Sequence, residues 1–362
     1  MANLDDLPIR NDLKGRKPYG APQLHVPVAL NVNENTHRIP REVIEDIFSR
    51  VAQATMGLNR YPDRDFESLR VAFAKYLGHN LTFEQIWAAN GSNEVLQHIF
   101  QAFGGSGRRA LGFGPTYSMY PLIAQGMNTE YINSPRLDRY ELTPDHVKAE
   151  ILKHKPNIVL LCSPNNPTGT PLSLDCVIAA YDAVSQTTGG IVVVDEAYAE
   201  FANESQSALS LLPGRPRLMI SRTMSKAFAF AGARVGYLAA DPAVVDALRL
   251  VRLPYHLSAF TQAAAEAALD HAEALLATVG DIRVQRDRLI AELRTLGFDP
   301  YRSDSNFVLF GGVSDPERAF TELLARGVLV RNVGIPNTLR VTAGTEAETS
   351  AFLEALAELQ AN

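Results

Sequence analysis

A single lysine lies inside an almost wholly apolar segment of the sequence, SRTMSKAFAFAGARVGY, residues 221–237. Apolar neighbours disfavour the charged form of an amine, which predicts that the pKa of Lys226 lies below its ordinary value of roughly 10.4. A neutral lysine amine is a nucleophile. The simpler interpretation of this segment alone is a helix start whose lysine extends its ammonium group into water. Other parts of the sequence must therefore decide between the two.

An acid ends a second apolar segment, because Asp195 directly follows IVVV. A carboxylate at the end of a continuously buried strand is unfavourable unless it is paired with a cation. No basic residue lies close to Asp195 in the sequence. The pattern therefore predicts that Asp195 meets a cationic partner from elsewhere.

Polar side chains follow several other apolar runs. Ser92 and Asn93 open a helical pattern, where free N–H groups bind anions, although an ordinary helix cap is the more common explanation. Asn166 lies in SPNNPTG, which has the composition of a turn and also offers an amide to a ligand. Thr223, Ser225 and Arg234 flank Lys226 and complete a set of groups suited to a phosphate.

The elements that position these residues follow from the apolar runs between about residues 85 and 240. Short runs rich in Val, Ile and Leu alternate with helical patterns, which predicts an α/β fold with a mostly parallel sheet covered on both faces. Ligands bind at the carboxyl ends of strands in such sheets, where the residues above lie. The chain of 362 residues exceeds the size of one core, so a second domain, α+β in pattern, is expected from about residue 253.

Composition excludes several classes of function. The net charge of -6 argues against nucleic acid or an anionic membrane as the main partner, and no apolar run reaches the length of a membrane helix. The N-terminus has no apolar signal-peptide core, so a cytoplasmic protein is expected. Two cysteines are too few for a disulfide framework, and the sequence has no P-loop, dinucleotide fingerprint, paired-histidine metal motif or GxSxG. We therefore expect no metal.

The remaining groups match the needs of pyridoxal 5'-phosphate, which are a lysine, an acid for the pyridine nitrogen and a phosphate cup. The ordered segments GSNE, GPTYSMY, SPNNPTG, DEAYAEF, SKAF and GARVGY resemble those of the fold-type I aminotransferases over almost the whole chain. This resemblance implies a large domain with a seven-stranded, mostly parallel sheet and a smaller C-terminal α+β domain. KPYGAPQ, LNVNEN, RYPDRD and the RNVGIP...LRVT tail resemble the histidinol-phosphate aminotransferases of the actinobacterial type.

The resemblance implies roles for the cofactor-binding residues. Lys226 would bond to the cofactor aldehyde and afterwards act as the base, while Asp195 would pair with the ring nitrogen. Tyr198 and Asn166 would hydrogen-bond the 3'-oxygen. The residues that would stack on the ring or hold the phosphate are Tyr117, Ser92, Asn93, Thr223, Ser225 and Arg234, with Tyr61 reaching the phosphate from a neighbouring subunit.

The resemblance also implies a substrate site. Arg340 would receive the substrate anion and Arg331 would add a second donor, although both could form salt bridges at a strand edge. Tyr19 would close over the site from the N-terminal arm. Candidates for contact with the imidazole are Asn93, Tyr117 and Tyr255, of which Tyr255 could equally be interdomain packing. The substrates would be histidinol phosphate and glutamate or 2-oxoglutarate.

The implied assembly is a homodimer with shared active sites. Each chain would have an N-terminal arm (1–30), a large cofactor-binding domain (31–252) and a small C-terminal domain (253–362) completed by the arm. An aromatic aminotransferase for phenylalanine or tyrosine and a phospho-amino-acid decarboxylase are rival enzymes on the same scaffold. A transcription-regulator sensor domain is disfavoured, since LNVNEN begins near residue 30.

Overall fold

The computed structural model describes residues 3–16, 18, 20–203 and 207–361. The strands of these residues are, in chain order, β1 (Val28–Ala29), β2 (Ile86–Ala89), β3 (Arg109–Gly114), β4 (Glu130–Pro135), β5 (Ile158–Cys162), β6 (Ile191–Asp195), β7 (Leu218–Thr223), β8 (Gly236–Ala240), β9 (Asp299–Pro300), β10 (Phe307–Gly311), β11 (Val328–Leu329) and β12 (Leu339–Thr342). The α-helices are α1 (Arg41–Thr55), α2 (Glu67–Leu77), α3 (Ser92–Phe103), α4 (Met119–Gly126), α5 (Pro144–His154), α6 (Leu174–Ser185), α7 (Pro242–Val251), α8 (Ala259–Asp270), α9 (Ala272–Leu276), α10 (Thr278–Thr295), α11 (Pro316–Ala325) and α12 (Glu346–Ala361).

The main sheet has seven strands in the order β2-β8-β7-β6-β5-β3-β4. Strand β8 is antiparallel to both of its neighbours, and the remaining pairs are parallel. Every residue of β5, β6 and β8 is buried. Because successive side chains of a strand point to opposite faces, this burial means that both faces are covered. The predicted α/β architecture is confirmed.

Helices close the faces of this sheet. Helix α3 packs on β2, β7 and β8, while α6 packs on β5 and β6. The hydroxyl of Ser173 caps α6, and Thr143 caps α5, whose first residue is a proline. The parallel connections bring the ends of β5, β6 and β7 to one edge of the sheet, where the predicted site residues lie.

The C-terminal part of the chain builds a second, antiparallel sheet in the order β12-β10-β9. Strand β1, at the end of the predicted arm, pairs with β11 of this part. The helical stretch after residue 258 is interrupted at His271 and at Ala277. Gly280 lies in the first turn of α10, where a glycine costs little.

Within the described ranges, no helix combines the length and apolarity needed to cross a membrane.

Candidate active site

A cavity of about 410 Å³ opens at the carboxyl ends of the central strands. Its volume is within the range of small-molecule sites. It brings together most of the residues that the sequence singled out for a cofactor or substrate. These lining residues are Ser92, Asn93, Tyr117, Asn166, Asp195, Tyr198, Thr223, Ser225, Lys226, Arg234, Arg331 and Arg340.

The amine of Lys226 lies within this cavity, just after β7. Its Nζ donates a hydrogen bond to the backbone oxygen of Val32 at 3.0 Å. Burial, together with the positive charges of Arg340 and Arg234, lowers the pKa of Lys226 to about 8. A substantial fraction of this amine is therefore neutral near pH 8.

Asp195, at the end of β6, is 3 % exposed. Its carboxylate accepts hydrogen bonds from the hydroxyl of Tyr120 at 2.7 Å and from the backbone N–H of Ala197 at 3.2 Å. Burial raises its pKa to about 6. The predicted cationic partner of Asp195 is absent from the residues that the structure describes.

The adjacent acid has the opposite environment. Glu196 points to the other face of the sheet, where it forms an ion pair of 2.7 Å with Arg222. Glu196 also accepts a hydrogen bond from Ser207. The ion pair of Glu196 and Arg222 therefore lies on the opposite face of the sheet from the cavity. Asp195, which has no ion-pair partner among the described residues, faces into the cavity.

Tyr198, Asn166 and Arg340 form a continuous chain of hydrogen bonds. Arg340 Nη1 donates to Asn166 Oδ1 at 2.7 Å, and Asn166 Nδ2 donates to the hydroxyl of Tyr198 at 3.3 Å. Arg340 also donates to the backbone oxygen of Asn31 at 2.8 Å. Burial raises the pKa of Tyr198 to about 12, so the phenol keeps its proton at neutral pH.

A polar cup lies at the other end of the cavity. Helix α3 begins at Ser92, and the first N–H groups of a helix have no partner in a preceding turn. Arg234 Nη1 donates to Ser225 Oγ at 3.3 Å, and Thr223 Oγ1 lies 3.0 Å from the same Ser225 oxygen. Arg234 forms no ion pair with the described residues, so the cup is suited to an anion.

Glycines let the cup close this tightly. A Cβ on Gly91 would lie 2.5 Å from Arg234 Nη2, and Gly91 has a φ of 83°, a region that favours glycine. A Cβ on Gly236 would collide with the backbone nitrogen of Ser92. The start of α3 and the Arg234 guanidinium can therefore approach each other directly over β8.

Two further pairs define the remaining walls. The hydroxyl of Tyr117 donates to Asn93 Oδ1 at 3.0 Å. Arg331 and Arg340 exchange backbone hydrogen bonds of 3.0 and 2.9 Å as an antiparallel bridge. The Arg331 guanidinium has no hydrogen-bond or ion-pair partner among the described residues, which leaves it available to an anion.

Two predicted residues are not part of the cavity in this chain. Tyr61 and Tyr255 stack on each other with ring centroids 4.4 Å apart, and Tyr61 is 79 % exposed. Neither lines the cavity of its own chain. Tyr19 lies outside the described residues.

Sequence reasoning missed several groups that contact the site. Each residue of the segment 31–33 forms a hydrogen bond with a different site residue. In the sequence the run LNVNEN, which contains this segment, indicated a resemblance to a family but no contact with the site. Tyr120, which bonds Asp195, lies in GPTYSMY, where only Tyr117 was selected. The presence of a second tyrosine in this short segment was the available signal.

The arrangement fits pyridoxal 5'-phosphate. It provides a partly buried amine for an aldehyde, an acid with no cationic partner among the described residues for a protonated ring nitrogen, and a cup with no acidic side chain paired to Arg234 for a phosphate. The searched part of the chain contains no cluster of His, Cys, Asp and Glu that could hold a metal ion. The site can therefore perform amine and proton-transfer chemistry at Lys226.

Known proteins give a consistent comparison. Residues 26–356 match the family described as aminotransferase class I and II. The histidinol-phosphate aminotransferase of Paenarthrobacter aurescens is 62% identical over 99% of this chain and 96% of its own length. That of Thermobifida fusca is 54% identical over 98% and 96%. A crystal structure of histidinol-phosphate aminotransferase from Sinorhizobium meliloti in complex with pyridoxal-5'-phosphate has the same fold, with a TM-score of 0.82, 24% identity and coverage of 92% and 91%.

Proposed function

Because this chain belongs to the aminotransferase class I and II family, we propose that it transaminates histidinol phosphate with 2-oxoglutarate, using pyridoxal 5'-phosphate. One observation carries the proposal. A partly buried lysine amine shares a cavity with Asp195, which has no cationic partner among the described residues, and with Arg234 and Arg331, which form no ion pair with the described residues. The relatives named above support the choice of substrate.

The cofactor, when bound, supplies an aldehyde carbon that bonds to amines and a ring that withdraws electrons from them. Asp195 holds the proton on the ring nitrogen. Tyr198 and Asn166 bind the 3'-oxygen, and Tyr117 provides an aromatic face to the ring. The phosphate is bound by the groups of the cup, which are Ser92, Asn93, Thr223, Ser225 and Arg234.

Lys226 has two functions in this proposal. Its amine would hold the cofactor at the aldehyde carbon, and it would later take the proton from the substrate carbon and deliver it to that aldehyde carbon. Both functions need the neutral amine. The pKa of about 8 keeps that form accessible near neutral pH.

The arginines near the small antiparallel sheet select the substrate. The Arg331 guanidinium has no counter-ion among described residues, and Arg340 lies beside it through their backbone bridge. Guanidinium groups bind phosphate and carboxylate in the same planar geometry, so one site serves histidinol phosphate and glutamate. We propose contact with the imidazole for Asn93, Tyr117 and Tyr255, and closure over the site for Tyr19.

We further propose that the enzyme is a cytoplasmic homodimer, with chain divisions near residues 30 and 252. The stack of Tyr61 and Tyr255 supports a shared site, because two aromatic rings lie together on the surface outside their own cavity. Several large apolar side chains that neighbour these tyrosines in sequence are also exposed, namely Met56, Leu58, Leu250 and Leu253. A second copy would cover this surface and place Tyr61 at the phosphate cup of its partner.

The test is a comparison of kcat/KM for histidinol phosphate and phenylalanine, with 2-oxoglutarate as acceptor. We expect preference for histidinol phosphate, bound cofactor visible by its absorbance, and loss of turnover in Lys226→Ala. Lys75→Ala, which changes an exposed lysine on α2, is the matched control. Preference for phenylalanine would contradict the substrate assignment, and full activity of a colourless Lys226→Ala protein would contradict the cofactor.

A further inference from the structure

Three consecutive residues, 31–33, contact three different side chains of the site. The backbone oxygen of Asn31 accepts from Arg340, and that of Val32 accepts from Lys226. The side chain of Asn33 differs, because its Nδ2 donates to the hydroxyl oxygen of Tyr198 at 3.0 Å. Asn33 is 1 % exposed, so this amide is fixed inside the protein.

The neighbours of Asn33 determine which end of its amide faces Tyr198. Thr342 Oγ1 accepts from the backbone N–H of Asn33 at 3.1 Å and donates its own proton to Asn33 Oδ1 at 3.3 Å. With the amide oxygen occupied by Thr342, the amide nitrogen faces Tyr198. The backbone of Asn33 is fixed as well, because the side-chain Nδ2 of Asn306 donates to the backbone oxygen of Asn33 at 3.1 Å. The φ of Asn33 is 57°, a region that asparagine tolerates.

Asn166 is oriented in the same way. Its Oδ1 accepts from Arg340, and arginine is only a donor, so the Asn166 nitrogen must be the end that faces Tyr198. The phenol oxygen therefore accepts two hydrogen bonds. A hydroxyl has two lone pairs and one proton, so both acceptor positions of Tyr198 are filled.

The remaining direction for the Tyr198 proton is the cavity. Tyr198 lines the cavity and donates to no residue that the structure describes. We propose that Asn33 is a positioning residue of the transamination site, which turns the Tyr198 proton toward the 3'-oxygen of the cofactor. This inference rests on the proposed function, since it needs pyridoxal 5'-phosphate as the acceptor.

The inference is tested by the pH dependence of the visible absorbance of the cofactor-loaded protein. A donor to the 3'-oxygen stabilises its negative charge and lowers the pH at which the bound cofactor loses its proton. Asn33→Ala weakens this donor, so the midpoint should rise by roughly half to one pH unit. Asn33→Asp should raise it at least as far, since a carboxylate would accept the Tyr198 proton for itself.

A double-variant cycle separates this role from a general structural one. Tyr198→Phe removes the proton altogether and should raise the midpoint most. In the Tyr198→Phe background, Asn33→Ala should add no further shift. Thr342→Val keeps Asn33 but removes the hydroxyl that orients its amide, so it should give a smaller rise and serves if Asn33→Ala does not fold.

Asn157→Ala is the matched control, because Asn157 accepts a hydrogen bond from the N–H of Arg109 at the far end of the strands. It should lower stability without moving the midpoint. An unchanged midpoint in Asn33→Ala would overturn this inference but not the proposed function. The same would follow if Asn33→Ala shifted the midpoint as far in the Tyr198→Phe background as in the wild-type protein. A wild-type protein that takes up no pyridoxal 5'-phosphate would overturn the proposed function and this inference with it.

Discussion

The hydroxyl of Tyr120 lies 2.7 Å from Oδ2 of Asp195, and both side chains are buried. Burial raises the pKa of Asp195 to about 6, and this hydrogen bond opposes the increase. Tyr120 therefore helps to keep Asp195 ionised, as the ring nitrogen of a bound cofactor requires.

Tyr120→Phe should raise the pKa of Asp195 further. As the pH is lowered through about 6, Asp195 of the variant should take up its proton before Asp195 of the wild-type protein does. The variant should therefore lose affinity for pyridoxal 5'-phosphate at a higher pH than the wild-type protein. The expected loss of affinity is roughly 5-fold, corresponding to one hydrogen bond of about 1 kcal/mol. Equilibrium dialysis from neutral to mildly acidic pH measures it, and parallel curves for the two proteins would contradict the role of Tyr120.

The depressed pKa of Lys226 predicts a pH-dependent stability. In the folded protein without cofactor the pKa is about 8, against 10.5 in the unfolded chain. The folded state binds fewer protons between these values, so stability is fully present above about pH 10.5 and is lost as the pH falls to about 8. This lowering of the Lys226 pKa corresponds to roughly 3 kcal/mol in the free energy of unfolding, at about 1.4 kcal/mol per pH unit.

This contribution is measured as the free energy of unfolding of the wild-type protein minus that of Lys226→Met, from denaturant titrations across this pH range. Other titrating groups cancel in the difference. We expect the difference to rise with pH between about 8 and 10.5. A flat difference would show that Lys226 titrates normally in the folded protein.

Gly91→Ala should weaken cofactor binding through Arg234. The new Cβ would lie 2.5 Å from Arg234 Nη2, so the guanidinium must move away from the cup. Loss of a charge-assisted hydrogen bond predicts a dissociation constant larger by roughly 10- to 100-fold. Gly107→Ala is the matched control, because its φ of 78° is similar while nothing lies within 4 Å of the added Cβ. Equal effects of the two substitutions would mean that backbone strain, and not Arg234, is responsible.

Arg331→Ala should raise KM for histidinol phosphate and for glutamate together, by roughly 10-fold, because both anions use its guanidinium. Arg331→Lys should restore part of the affinity through charge alone. Arg318→Ala, which removes an exposed ion pair on α11, controls for net charge. An effect on only one substrate, seen in steady-state kinetics, would mean that the two anions bind at different positions.

A mixed-subunit experiment tests whether Tyr61 serves the partner. Lys226→Ala and Tyr61→Ala proteins are each expected to be impaired, but a hybrid of the two has one site with both residues intact. Random mixing gives about half hybrids, so about a quarter of the wild-type activity should return. If Tyr61 serves its own chain instead, mixing would restore nothing.

The sequence predicted the positions where strands end better than it predicted the contacts between them. Asp195, Thr223 and Asn166 follow apolar runs, and the parallel sheet gathers such positions at one edge regardless of loop detail. Lys226 was recognisable because its neighbours are apolar. These features are local in the chain, so composition and spacing reveal them.

Contacts between distant segments were not predictable in the same way. Asn33 and Tyr198 are 165 residues apart, and the segment of Asn33 has no apolar periodicity that would place it. Tyr120 could be read as one more core aromatic, since only the fold shows that its hydroxyl meets Asp195. The stack of Tyr61 and Tyr255 likewise depends on tertiary structure alone.

The ion pair of Glu196 and Arg222 has a consequence for folding as well as for stability. Two acids are adjacent at the end of β6, and only strand alternation decides which of them meets Arg222 and which enters the cavity. A slip of β6 by one residue would exchange them. It would leave Glu196 buried without its cation and Asp195 facing away from the ligand. Only the observed register gives each acid its own partners, Tyr120 for Asp195 and Arg222 with Ser207 for Glu196, so these contacts favour that register over the slipped one.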